Sequence, residues 1–120
     1  MNTKQAQAFA EDWIAAWNSH DLYRILSHYE DDFTMASPVI VQAMDEPSGQ
    51  LAGKEAIAVY WAKALARYPE LHFELLHVLV GAGSVTIIYR GVRGLSAEVF
   101  HFAESGKVIA AYAHYVVDLP

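Results

Sequence analysis

The chain has 120 residues, 54% of them hydrophobic, with eight Lys and Arg against 14 Asp and Glu for a net charge of −6. That length suits one domain with a core of its own, and without any Lys/Arg run a nucleic-acid partner is not expected. The absence of cysteine excludes a disulfide framework and a thiolate metal site, and no apolar run reaches the ~18 residues of a membrane span. A cytoplasmic protein with no membrane partner is therefore the expectation.

Taken in order, the chain opens with a helix from about Thr3, a possible N-cap, to Asn18. Ala6, Phe9, Trp13, Ala16 and Trp17 fall on one face at helical spacing. Asn18-Ser19-His20-Asp21 breaks it, and Ser19 or Asp21 can cap a second, short helix with the stripe Leu22, Ile25, Leu26 and Tyr29. Glu30-Asp31-Asp32 turns the chain into a strand, Phe33 to Ser37. Phe33, Met35 and Ser37 share one face there, and Pro38 keeps Ser37 extended. Val39 to Ala52 reads as a long loop, the expected lid or rim of a pocket. A third helix starts at Gly53-Lys54-Glu55, carries Ile57, Tyr60, Trp61, Ala64, Leu65 and Tyr68 as its stripe, and stops at Pro69.

After Pro69 the period changes to two. Leu71–Val80, Ser84–Arg90, Leu95–Phe102 and Lys107–Val117 read as four strands with short glycine-containing connections, hence an antiparallel meander. Three N-terminal helices then cover one face of a curved, mostly antiparallel sheet, an α+β fold of one domain spanning residues 1–120.

Glu98 is the most informative polar position. It alternates with Ser96, Phe100 and Phe102 on the face expected to turn inward, opposite Leu95, Ala97, Val99 and His101. Hairpin pairing sets it against Ala111 or Ala113, small side chains that leave room for a ligand, with Tyr115 or Ile109 in diagonal reach. Desolvation there raises a carboxyl pKa and suits it to proton transfer near neutrality. The bland alternative is a structural Glu neutralised by Arg90 or Arg93. Trp13, Trp17, Tyr60 and Trp61 can line an apolar pocket or simply form core. Six histidines are present, but His101 and His114 fall about 13 Å apart at ~3.3 Å per residue, too far to share an ion, so no metal is expected. Together with the apolar excess, Ile88, Val99, His101, Tyr112 and His114 on the outer sheet face suggest a homodimer.

The order of these elements, the opening AWNSHDLYRILSHYEDDFTMASP, the Gly49–Ala56 stretch GQLAGKEA and the hairpin VFHFAESGKV resemble the nuclear transport factor 2-like superfamily, in its SnoaL-like and ketosteroid isomerase-like branch. The resemblance covers nearly the whole chain. It implies a cone-shaped barrel with a deep pocket between helices and sheet, commonly homodimeric, on a scaffold that hosts isomerases, cyclases, dehydratases and non-catalytic binders. Carried over by position, the branch's oxyanion-binding acid falls at Glu98. Its carboxylate base falls at Ser37, which has no carboxylate, and its helix-one tyrosine at Trp13. Asp45 or Glu46 on the long loop could replace that base. The resulting expectation is a cofactor-free enzyme acting on a small hydrophobic molecule by proton transfer. Glu98 would be catalytic, with Trp13, Trp17, Ser37, Tyr60, Trp61, Phe100 and Tyr115 contacting substrate; a binding module of the same fold is the alternative.

Overall fold

The computed structural model describes residues 1–119. Helix α1, Thr3–Ser19, is capped one residue earlier than expected. The Asn2 side chain accepts from Gln5 N while Gln5 returns a bond to Asn2 N, a capping box. Ala6, Ala10, Trp13, Ala16 and Trp17 form its buried face. His20 ends it in the left-handed region (φ 60°), and its ring nitrogen reaches Leu71 O at 2.7 Å. Asp21 caps α2, Leu22–Leu26, as anticipated.

The first strand, β1, runs Tyr29–Ala36. Tyr29 therefore leaves the helical stripe assigned to it from sequence and pairs with Val108 instead, because α2 is already closed by Ser27. The expected loop Val39–Ala52 is also corrected: it holds helix α3, Pro38–Ala43, and strand β2, Gln50–Ala52. Ser37 caps α3 through Val39 N, and Pro38 occupies a first-turn position where its missing N–H costs nothing. One serine–proline pair thus ends a strand and begins a helix. Helix α4, Lys54–Arg67, buries Ile57, Tyr60 and Trp61.

Strands β3 (Glu74–Val80), β4 (Ser84–Gly91), β5 (Gly94–Phe102) and β6 (Val108–Tyr115) form the expected antiparallel meander. β3 begins three residues late. Both backbone groups of Phe73 are taken by the Asn18 side chain, at 2.6 and 3.0 Å, and Leu71 O by His20, so this stretch is tied to α1 and not to a neighbouring strand. The sheet order is β2-β1-β6-β5-β4-β3, with β1 and β6 parallel. β2 and β3 are free edges, so the barrel anticipated by resemblance is an open cone, and four helices accompany it where three were expected. Along β4, β5 and β6 the inward residues are buried while the outward ones keep solvent exposure. Among the described residues no helix is long and apolar enough to cross a membrane.

Candidate functional site

Three cross-strand rows build the inner wall. Tyr89, Ser96 and Tyr115 form one, Ile87, Glu98 and Ala113 the next, and Val85, Phe100 and Ala111 the third. Of the two registers open from sequence, the structure takes the one that sets Ala113 against Glu98. Glu98 opens on a cavity, which Trp13 and Trp17 of α1 and Tyr60, Trp61 and Ala64 of α4 close from the helical side. The cavity has a volume of about 90 Å³, room for a small molecule. Trp13, Trp17, Tyr60, Trp61, Glu98 and Tyr115 all line it, and so do all three tryptophans of the chain.

Glu98 is 4% exposed, and burial pushes its pKa up to about 8. Neither arginine considered as a neutralising partner takes that role. Arg90 pairs with Glu74 at 3.5 Å on half-exposed surface, while the Arg93 guanidinium stands over the Tyr115 ring at 5.7 Å. Burial, and after it the charge of Glu98, pushes the Tyr29, Tyr89 and Tyr115 phenols up; burial does the same for Tyr60. All four hydroxyls therefore stay protonated at neutral pH, and those of Tyr60, Tyr89 and Tyr115, which line the cavity, can donate hydrogen bonds to a substrate oxygen. The Trp17 indole N–H is buried without a partner among the described residues, a further donor on the cavity wall.

Two sequence-derived contacts are placed elsewhere. Phe100 is fully buried behind the cavity, edge-on to Phe9 and Trp13, because its row faces the tightly filled base of the cone. Ser37 is buried beside the Tyr60 and Tyr115 hydroxyls and caps α3, so it supports the wall without lining it. Asp45 and Glu46 do not line the cavity either. Glu46 is engaged by Ser48 within its own turn, and from this whole segment only Val39 reaches the chamber. Sequence reasoning missed Met35, Leu71, Phe73 and Tyr89 on the lining. Tyr89 was findable, since it alternates with Val85 and Ile87 on the inward face of β4. Phe73 was not, because its place depends on the bracket from Asn18. Among the described residues no three His, Cys, Asp or Glu side chains are grouped to hold a metal ion.

Comparison with known proteins gives a consistent result. A SnoaL-like protein of unknown function from Burkholderia thailandensis E264 is 52% identical, with 97% of this chain and 98% of that chain covered and a TM-score of 0.94. A SnoaL-like family member from Agrobacterium tumefaciens, described as a candidate isomerase, is 17% identical over 92% of this chain and 97% of that one, TM-score 0.73. A cystatin-fold protein from Novosphingobium aromaticivorans is 22% identical over 89% and 95%, TM-score 0.72. The last two share the fold alone. No curated protein matches the chain. The SnoaL-like domain pattern matches residues 10–117, and on that span the chain belongs to the SnoaL-like domain family.

Proposed function

We propose that the chain is a small-molecule enzyme of the isomerase, cyclase or dehydratase kind, moving protons with Glu98 in an apolar chamber and needing no cofactor. One observation carries this: a carboxyl that is 4% exposed, opens on a cavity and has no cationic partner among the described residues. Burying an ionisable group unpaired is costly, and such groups concentrate at functional sites. A single carboxyl can close the proton count without the base that Ser37 cannot supply. Its ionised form takes a proton from an activated C–H, and the resulting acid returns it to a second carbon or to a leaving hydroxyl. Neutral Tyr60, Tyr89 or Tyr115 would donate to the substrate oxygen while its charge develops.

The test is deuterium exchange of 2-tetralone, a flat ketone with acidic α-protons, followed by NMR in D2O. Exchange faster than buffer is expected. Glu98→Gln should slow it at least ~100-fold while binding, read from tryptophan fluorescence, changes less than about threefold. Equal exchange in both proteins would contradict a role for Glu98. Binding without any exchange above buffer would assign the chain to the rival class, a ligand-binding module, which the hydroxyl at Ser37 in place of a carboxylate favours.

A further inference from the structure

The mouth of the chamber carries a charge pattern that proton transfer at Glu98 leaves unused. Outside the inner cavity the walls widen into a bowl of about 750 Å³, which shares Val39, Tyr60, Ala64, Tyr68, Arg93 and Tyr115 with the chamber and so continues it outward. Lys63 and Arg67 stand one helical turn apart on α4, and Arg93 faces the same bowl from the β4–β5 turn. Among the described residues no Asp or Glu side chain lines the bowl. In a chain with 14 acids and eight Lys and Arg, three cations gathered without an acid is the reverse of the average surface.

The other ion pairs sharpen the contrast. Arg24 has Asp12, Lys54 has Asp31 and Arg90 has Glu74, whereas Lys63, Arg67 and Arg93, like Lys4 and Lys107 elsewhere, have no carboxylate within 4.0 Å among the described residues. Both arginines are held over aromatic rings: Arg67 over Tyr68 and Arg93 over Tyr115, each 5.7 Å from the ring centre. A guanidinium seated on a ring is oriented without spending its N–H donors, which remain available for an anion.

We propose that the substrate is amphiphilic and anionic: its apolar body enters the tryptophan-lined chamber, and a carboxylate or phosphate at its far end is held at the mouth by Lys63, Arg67 and Arg93. The apolar Val39, Val116 and Val117, which line the same bowl, suit the stem that joins the two ends. This rests on the chamber being the substrate site, and it names the chemical class that Glu98 would act on. The cations draw the anionic end and fix which end of the molecule reaches Glu98.

The test compares 4-phenylbutyrate, 4-phenylbutyl phosphate and 4-phenylbutanol, which share one apolar body. Each is titrated into the full chain with tryptophan fluorescence as the readout. At least one anion should bind about 10-fold tighter than the alcohol, an advantage that shrinks as salt is raised. Whichever anion gains more identifies the head group. Changing Lys63, Arg67 and Arg93 together to Gln should bring both anions to the alcohol's Kd, and Lys63→Arg, which keeps the charge, should preserve the preference. Equal binding of all three probes, no binding by any, or a preference that survives the triple change would overturn the proposal. The native chain's own exchange separates the two ideas: an anion preference in a native chain whose 2-tetralone exchange never exceeds buffer leaves the mouth standing and the proton-transfer role fallen.

Discussion

Two polar groups lie at the heart of this cone, a few rows apart, and they are treated in opposite ways. At its base the Trp13 indole donates to the Tyr29 hydroxyl at 2.9 Å, with both side chains essentially inaccessible. Around them Phe33, Trp61 and Phe100 stack or meet edge to edge, Tyr29 to Phe33 at 4.3 Å between ring centres. There the buried donor and acceptor answer each other within a cluster of packed rings. On the wall above, Glu98 is almost as deeply buried but faces an alanine and a cavity, and burial displaces its titration to about 8. Satisfying a buried polar group stabilises the fold; leaving one unsatisfied destabilises it and keeps a reactive group available. The base is built for stability, the wall for chemistry.

The largest effect that can break this comparison is a pH slope in stability. In the unfolded chain Glu98 releases its proton near 4.5, whereas in the folded chain it holds it to about 8. Unfolding therefore releases a proton between those values, and stability falls as pH rises through that window. The penalty is absent below the lower value and complete above the upper one. The full displacement corresponds to about 5 kcal/mol; water entering the cavity reduces this, and a loss of about 3 kcal/mol across the window is expected. Urea denaturation at both ends of the window should show it in the native chain, and Glu98→Gln should flatten it. A native chain as stable above pH 8 as near 4.5, once matched against that variant, would erase the difference between wall and base.

A smaller effect is expected at the base. Tyr29→Phe removes the acceptor for the Trp13 N–H and leaves a buried donor unanswered, at a cost of about 1–2 kcal/mol in urea stability. Proton exchange in 2-tetralone should not change, because Tyr29 does not line the chamber. A loss of exchange with unchanged stability would show that base and wall are one functional unit. The smallest effect on the chain's own stability, within about 0.5 kcal/mol, is expected for Tyr112→Glu on the outer sheet face. There Tyr112 is 40% exposed and edge-on to His101 at 5.7 Å. Sedimentation should find the native chain dimeric through this face and the variant monomeric. A native monomer would refute that face as an interface.

The sequence disclosed most of the wall and less of the rim. Alternation along β5 put Glu98 inward and limited its partner to two alanines, because a strand of period two leaves few registers. The helical stripes gave Trp13, Trp17, Tyr60 and Trp61 for the same reason. What stayed hidden depended on contacts distant in the chain. Asn18 holds Phe73 across 55 residues and so shortens β3, and nothing local to Leu71–Phe73 signals it. Tyr29 satisfied a helical period and a strand position equally well, and pairing with β6 decided between them. The α3 helix was legible in Ser37-Pro38, a cap followed by a first-turn proline, but the same proline also marks a strand's end, and the bare sequence does not rank the two.

The most direct measurement is the titration of the Glu98 carboxyl itself. Carbon NMR of the chain labelled at glutamate side-chain carboxyls, with Glu98→Gln assigning the resonance by its disappearance, gives the midpoint without any knowledge of substrate. A midpoint near 8 is predicted, with the carboxyl largely protonated at neutral pH. A midpoint at the ordinary value of 4.5 would contradict it, leaving Glu98 an ordinary charged residue and the chamber without its acid.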